Sequence, residues 1–168
     1  MIGLMGAGKS SIGRRLATAL DLAFVDTDDE IITAAGCSIA DIFELYGEQA
    51  FRDLEERVIE RLLLDPKRVI ATGGGAYMNP DTRARIGEAA ITIWLRADLD
   101  ILVERTSRRS GRPLLLQGNP RQILKTLIDE RYPVYADADI VVDTGPDGHN
   151  ITVQKIINAL AEFTKAST

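Results

Sequence analysis

Near the start of the chain, glycines combine with a lysine and a serine in the order GLMGAGKS, Gly3–Ser10. This spacing fits the pattern G-x-x-x-x-G-K-[ST], in which glycines allow successive backbone N–H groups to face a bound phosphate chain. An apolar helical pattern through Ile12 and Leu16 follows, and the N-terminus of such a helix adds positive potential. The motif therefore predicts a polyphosphate site, with Lys9 near the terminal phosphates and the Ser10 hydroxyl as a magnesium ligand.

Two carboxylates, Asp26 and Asp28, follow the next short apolar run. Alternate residues at the end of a strand point to opposite sides. We therefore expect one carboxylate to face the metal and phosphates and the other to face a second substrate. The alternative is an acidic first turn of a helix, which the helix dipole favours. That alternative explains Asp29 and Glu30 fully, but Asp26 less well, because a strand precedes Asp26.

A run of three glycines, Gly73–Gly75, follows the apolar stretch Val69–Thr72. Consecutive glycines lose much conformational freedom on folding and contribute no side chain to a core. At the tip of a strand they allow a ligand to approach bare backbone N–H groups. The run therefore favours a binding site over a flexible turn.

The elements that position these residues alternate along the chain between short apolar runs and helical patterns. Helix starts are marked by Asn79-Pro80 and Asn119-Pro120, each an N-cap followed by proline, and by Ser38 with Asp41, which resembles a capping box. Strands alternating with helices predict an α/β fold with a mainly parallel sheet covered on both faces. The apolar runs are 23–25, 69–72, 90–95 and 140–143.

Two segments do not fit this alternation of apolar runs and helical patterns. The segment Arg105–Asn119 is basic, punctuated by glycine and irregular, and a loop of that length is usually functional or disordered. At the start of the chain, only Met1 and Ile2 precede the glycine motif. The strand expected there is either cut short or begins upstream.

Size and composition restrict the possible functions. The 168 residues are 45% hydrophobic and 27% charged, which predicts one soluble globular domain spanning 1–168. The net charge of −5 gives no reason to expect binding to nucleic acid or to a membrane. The single cysteine, Cys37, suits a reducing cytosol, and no membrane-spanning run or secretory segment is apparent, so we expect a cytoplasmic protein.

A phosphate-binding loop alone does not define the reaction. A GTPase switch would need a guanine-reading Asn-Lys-x-Asp string and usually an Asp-x-x-Gly string, and the sequence contains neither. Further motifs are therefore needed to indicate which reaction uses the nucleotide.

The phosphate-loop string GLMGAGKS is followed along the chain by five further strings: DTD, AFRDLE, TGGG, GRPLL and ERYPVY. Their order and separations resemble shikimate kinase over nearly the whole chain. The resemblance implies a P-loop kinase fold of the nucleoside-monophosphate-kinase type, with a five-stranded parallel sheet flanked by helices. It also implies a mobile lid at about 105–119 and a substrate-binding helical region at about 28–64. The implied reaction is ATP-dependent phosphorylation of the shikimate 3-hydroxyl, a step toward chorismate and the aromatic amino acids.

On the nucleotide side, the resemblance implies that Ser10 and Asp26 hold Mg²⁺. Arg105 would flank the adenine, and Arg112 would come from the lid to the transferring phosphate. The catalytic residues implied are Lys9, Asp28 and Arg112. The implied phosphate-binding residues are Gly6, Ala7, Gly8, Lys9, Ser10 and Ser11.

On the substrate side, the resemblance implies that Arg52 and Arg131 hold the shikimate carboxylate. Asp28 would bind the substrate hydroxyls and orient or deprotonate the attacking oxygen. Gly73, Gly74 and Gly75 would present backbone amides where a Cβ would collide with the substrate ring. Glu55, one turn after Arg52, would either fix that guanidinium or form an ordinary pair on the helix surface.

Two alternatives stay open at this point. One is a different small-molecule kinase on the same fold, such as a gluconate or nucleotide kinase, although paired arginines favour a substrate that carries a carboxylate. The other is a non-catalytic ATP-binding domain, although a module released from catalysis need not retain the complete set Lys9, Ser10, Asp26, Asp28 and Arg112. We expect a monomer that uses ATP and Mg²⁺.

Overall fold

The computed structural model of the protein describes residues 1–108 and 118–166. Within these residues each strand is followed by one or more helices, in keeping with the alternation that the sequence predicts. The helices are α1 (Lys9–Ala19), α2 (Thr27–Ala35), α3 (Ile39–Leu64), α4 (Pro80–Ala89), α5 (Leu99–Ser107), α6 (Pro120–Tyr135) and α7 (His149–Ala166). The strands are β1 (Ala23–Asp26), β2 (Arg68–Ala71), β3 (Ile93–Arg96) and β4 (Ile140–Asp143), and a 3₁₀ turn spans Ala76–Met78.

The helix starts predicted from the sequence are confirmed. Asn79 caps α4 and Asn119 caps α6, each through a side-chain oxygen that accepts hydrogen bonds from two backbone N–H groups of the first turn. At α3, Ser38 and Asp41 form the reciprocal hydrogen bonds of a capping box. Gly47 has φ 82° and ψ 173°, so α3 is interrupted there and its second part carries the AFRDLE segment.

The sheet differs from the expected five strands. In the described residues, β1 pairs in parallel with β2, and β3 pairs in parallel with β4. Between these pairs lie Met1 and Ile2. Met1 O accepts from Thr72 N at 3.1 Å, Ile2 N donates to Ile93 O at 2.8 Å, and Ile2 O accepts from Leu95 N at 3.0 Å. The α/β fold is present, but in the described residues these bonds form an isolated bridge between Ile2 and Trp94 rather than a fifth strand.

Two apolar clusters hold the elements together. The larger one joins the inner faces of the strands to α1, α5, α6 and α7, and it includes Leu16, Leu95 and Leu124, which are 0–1% exposed. The smaller cluster lies between α2 and α3 and contains Ile31, Ile42, Phe51, Val58 and Leu62. Since this second cluster fixes the rotation of α3, it decides which way the charged residues of AFRDLE face.

No helix among residues 1–108 and 118–166 is both long enough and apolar enough to cross a lipid bilayer.

Candidate active site

The phosphate-loop motif forms a tight turn that leads from Ile2 into α1. Gly8 is the N-cap of α1 with φ 97°, a left-handed conformation that favours glycine. Gly3 has φ 144°, and a Cβ there would lie 2.7 Å from Leu95 O, so the backbone of β3 leaves no room for a side chain. The loop is therefore built from backbone at the N-terminus of a helix, which is the arrangement that binds phosphate.

The Lys9 side chain curls across this loop. Its Nζ donates to Gly3 O at 2.7 Å and to Leu4 O at 3.1 Å. The ammonium group consequently lies at the loop itself, where its compact positive charge would favour a bound polyphosphate.

Ser10 and Asp26 lie side by side at the end of β1. Ser10 Oγ donates to Asp26 Oδ2 at 2.6 Å, and Asp26 Oδ1 accepts from Asp28 N at 3.1 Å as the N-cap of α2. A hydroxyl and a carboxylate together offer the oxygen donors that Mg²⁺ prefers, and Mg²⁺ usually takes only one or two protein ligands. The donor set therefore fits Mg²⁺.

The sequence argument placed Asp28 at the end of a strand together with Asp26. In the structure, Asp28 does not lie on the strand. Asp26 is the last residue of β1, and α2 begins at Thr27, so Asp28 belongs to the first helical turn. The acidic first turn thus accounts for Asp28 as well as Asp29 and Glu30. Asp26 and Asp28 therefore belong to different elements, a strand and a helix, and do not alternate along one strand.

The glycine run is the place where the predicted substrate residues meet. A Cβ on Gly73 would lie 2.7 Å from Glu55 Oε1 and 3.3 Å from Asp28 Oδ1. The Gly73 N–H itself donates to Thr27 Oγ1 at 3.0 Å, so in this structure that amide is used within the protein.

The other two glycines face the two arginines. A Cβ on Gly74 would lie 3.2 Å from Arg131 Nη1 and 3.4 Å from Gly3 O, and a Cβ on Gly75 would lie 2.6 Å from Arg52 Nη1. Side chains of α2, α3 and α6 therefore converge on one bare stretch of backbone beside the phosphate loop. A Cβ in this run would therefore meet side chains of the site itself, and its collision with the substrate ring stays a prediction.

Glu55 is part of this site rather than of the helix surface. It is 3% exposed, and its Oε2 accepts from Arg52 Nη1 at 2.8 Å. Arg52 also contacts the exposed Glu48 at 3.3 Å. Burial raises the pKa of Glu55, and the hydrogen bond from Arg52 opposes part of that rise. In the described part of the chain, Glu55 Oε1 has no hydrogen-bond partner.

Arg105, in the last turn of α5, braces the phosphate loop. Its Nη1 donates to Gly6 O at 3.3 Å, to Ala7 O at 3.4 Å and to Thr144 Oγ1 at 3.0 Å. Its Nη2 donates to Gly145 O at 2.5 Å. Desolvation lowers the pKa of Arg105 below its ordinary value. The guanidinium therefore ties the loop to the segment that follows β4.

Comparison with known proteins decides the family. The family model described as "Shikimate kinase" matches residues 5–161 of the chain. The chain belongs to the shikimate kinase family. A curated shikimate kinase of Brucella canis is 54% identical over 161 residues, which is 96% of this chain and 80% of the relative. The resemblance stated from the six strings is thereby confirmed.

Solved structures agree with the family. A shikimate kinase from Acinetobacter baumannii, solved in complex with shikimate, has a TM-score of 0.90 and 35% identity, covering 96% of this chain and 90% of that chain. A gluconokinase from Sinorhizobium meliloti has a TM-score of 0.62 at 20% identity, covering 98% and 93% of the two chains. At that identity the gluconokinase shows the shared fold alone. The gluconate kinase alternative therefore gains no support beyond the fold.

In this member of the shikimate kinase family, the structure describes the positions of all predicted site residues except Arg112. Ser11 lies in the first turn of α1, and its carbonyl accepts from Arg15 Nη1 at 2.9 Å. Arg112 lies outside the described residues, as do residues 109–117 of the expected lid. Sequence reasoning missed Thr144, whose buried hydroxyl lies 3.3 Å from Ala7 O. No local motif signals it, because its contact spans 137 positions in the chain.

Proposed function

We propose that this protein transfers the terminal phosphoryl group of ATP to the 3-hydroxyl of shikimate. The observation that carries the proposal is the convergence of Asp28, Arg52 and Arg131 on the glycine run next to the phosphate loop. The shikimate bound in the Acinetobacter baumannii relative, which is similar over nearly the whole chain, supports this choice of substrate.

The two guanidinium groups suit the substrate's carboxylate. Arg52 and Arg131 come from different helices and approach neighbouring glycines, Gly75 and Gly74. Planar guanidinium groups match a planar carboxylate through charge-assisted, frequently bidentate hydrogen bonds. The Asp28 carboxylate lies on the Gly73 side, where it would receive the substrate hydroxyls and orient the attacking oxygen.

The nucleotide would occupy the other side of the site. The backbone of Gly6–Ser11 and the Lys9 ammonium would hold the phosphates, and Ser10 with Asp26 would hold Mg²⁺. The metal would supply positive charge that neutralises the phosphate oxygens. Phosphoryl transfer depends mainly on such positioning and charge neutralisation, and Arg112 from the lid would add to it.

Further parts of the proposal concern the assembled fold. Met1 and Ile2 hydrogen-bond to the segments on both sides of them, at the position where a central strand of a five-stranded sheet would lie. We include that sheet, the lid and a cytoplasmic monomer in the proposal. The acidic net charge of −5 is in keeping with a small-molecule substrate rather than a nucleic acid or a membrane.

The carboxylate contacts provide the test. Each charge-assisted hydrogen bond to a charged group contributes roughly 1.5–3 kcal/mol, or about 10- to 150-fold. We expect Arg52→Ala and Arg131→Ala each to lower kcat/KM for shikimate by that order, with little change in ATP affinity and with non-additive effects in the double variant. Arg61→Ala is the control, since Arg61 lies on the same helix as Arg52 but is exposed and paired with Glu30.

Shikimate methyl ester makes the test specific for the carboxylate. The wild type should use the ester poorly, and removal of either arginine should affect the ester much less than the acid. A coupled ADP-release assay should include quinate, gluconate and nucleoside monophosphates as competing substrates. Equal use of acid and ester by the wild type would refute the carboxylate clamp, and preference for gluconate or a nucleotide would refute shikimate as the substrate.

A further inference from the structure

Helix α6 carries a second residue that contacts the glycine run. Tyr135 lies one turn after Arg131 and is 0% exposed. Its ring packs against Trp94 with centroids 5.8 Å apart and against Tyr77 with centroids 6.3 Å apart. A tyrosine buried so completely usually has a partner for its hydroxyl.

The partner of that hydroxyl lies in the candidate site. Tyr135 OH donates a hydrogen bond to the Gly74 carbonyl. The Arg131 guanidinium lies on the same side, with Nη1 3.2 Å from the position a Gly74 Cβ would take. Burial raises the pKa of Tyr135, and the nearby Arg131 guanidinium, through its charge and a hydrogen bond to the hydroxyl, opposes the rise. The hydroxyl thus lies between two groups assigned to substrate binding.

We propose that Tyr135 is a positioning residue that holds the Gly74 backbone and the Arg131 guanidinium in the arrangement that receives the substrate carboxylate. The inference rests on the proposed function, because it concerns the same carboxylate. Tyr135 itself would not touch the substrate. It acts by orienting a backbone unit and a charged side chain that do.

Tyr132 provides a matched control on the same helix. Its hydroxyl also donates to a backbone carbonyl, that of Ala97, and its ring lies 4.9 Å from Trp94 between centroids. Ala97 follows β3 and is not part of the glycine run. Tyr132→Phe therefore removes a similar hydrogen bond from the same aromatic cluster without disturbing Gly74.

The experiment compares Tyr135→Phe with Tyr132→Phe by steady-state kinetics and by calorimetric binding of shikimate. Phenylalanine retains the ring, so we expect both variants to fold, and assays are run well below the melting temperature found by circular dichroism. In Tyr135→Phe, the Gly74 carbonyl loses its hydrogen-bond donor and the Arg131 guanidinium loses a neighbouring hydroxyl. We therefore expect the KM and Kd for shikimate to rise about 3- to 10-fold. The KM for ATP and kcat should stay within about twofold, because Tyr135 contacts Gly74 and Arg131 on the substrate side of the site. Tyr132→Phe should leave both KM values unchanged.

A double-mutant cycle with Arg131→Lys shows whether Tyr135 acts through Arg131. Because the two side chains share one task, the combined loss should be smaller than the product of the single losses. An unchanged KM for shikimate in Tyr135→Phe, or an equal rise in Tyr132→Phe, would overturn the inference. A wild type that neither binds nor phosphorylates shikimate would instead overturn the proposed function, and this inference with it.

Discussion

At the scale of single residues, Glu55 shows how burial changes the role of a charge. A surface pair between Arg52 and Glu55 would contribute only about 0–1 kcal/mol. Here the carboxylate is 3% exposed and faces Arg52, Arg131 and Asp28 from three different helices. Loss of one partner of a buried pair is costly because it leaves a charge without compensation. Glu55 therefore lies among the residues that we propose to bind the substrate, rather than on the helix surface.

The raised pKa of Glu55 makes its effect on stability depend on pH. A carboxyl group with a higher pKa in the folded state binds more protons when folded, so stability falls as pH rises from the ordinary value of 4.5 through the folded value. Glu55→Gln removes this ionisation. We expect the free energy of unfolding of Glu55→Gln, relative to wild type, to rise with pH across that window in urea titrations. A difference that does not change with pH would contradict the burial of an ionising carboxylate.

At the scale of elements, Arg105 connects α5, the phosphate loop and the segment after β4. Lysine cannot reproduce the fork of donors that reaches Gly6 O, Ala7 O, Thr144 Oγ1 and Gly145 O. We expect Arg105→Lys to weaken ATP binding on the order of 10-fold, since a few hydrogen bonds of roughly 0.5–1.5 kcal/mol are lost. Calorimetric titration measures this directly.

Inorganic tripolyphosphate distinguishes bracing of the loop from contact with adenine. If Arg105 acts by bracing the loop, Arg105→Lys should weaken tripolyphosphate as well as ATP. If it acts only by flanking the adenine, tripolyphosphate binding should be unaffected. Arg108→Lys is the control, because Arg108 is exposed and pairs with Glu104 one turn away.

The start of the chain is the second feature at this scale. The Met1 amino group donates to Ile70 O at 2.6 Å, and burial, with a smaller effect from Lys9, lowers its pKa from 8.0 to about 5. Between these values the unfolded chain binds the proton and the folded chain does not, so stability rises with pH. The resulting destabilisation is therefore larger at pH 5 than at pH 7, on the order of a few kcal/mol at the lower pH.

An extension of three or four apolar residues ahead of Met1 should therefore raise the melting temperature, and the gain should grow as pH falls from 8 to 5. The extension moves the amino group out of the interior and also supplies backbone for the central strand that we propose at this position. A Gly/Ser extension of equal length should also move the amino group out of the interior, so it should give the pH-dependent gain in melting temperature. It should give less of the pH-independent gain, because it adds no apolar side chains. No gain from several apolar extensions would show that the buried amino group does not destabilise the fold.

At the scale of the whole molecule, one domain that binds two substrates should be stabilised by each of them. A ligand at 100 times its Kd adds about 2.7 kcal/mol, which is about 5–10 °C for a chain of this size. We expect ATP with Mg²⁺, and separately shikimate, to raise the melting temperature of a single transition by this order in calorimetry.

Variants from each side of the site should separate the two shifts. Lys9→Ala should lose most of the ATP shift and keep the shikimate shift, and Arg131→Ala should do the reverse. Two transitions, of which ATP moves only one, would contradict a single domain over 1–168. Loss of both shifts in either variant would contradict separate nucleotide and substrate sides.

The sequence alone determined those features that depend on neighbouring residues. The phosphate loop is contiguous, so the spacing of its glycines, Lys9 and Ser10 already specified its chemistry. The caps at Ser38, Asn79 and Asn119 are local for the same reason, since a cap bonds to backbone only two or three residues away. The boundary between β1 and α2 was harder to place, because Asp28 suits the end of a strand and the start of a helix equally.

Only the tertiary structure decided which distant residues meet. Whether Glu55 faces solvent or the site depends on how α3 packs on α2, and periodicity within α3 does not reveal that packing. Arg105 reaches Gly6 across 99 positions and Tyr135 reaches Gly74 across 61, so no local spacing encodes either contact. Such contacts arise when buried faces of separate elements are brought together, because apolar burial fixes the orientation of each helix and the polar groups beside it then take the partners within reach.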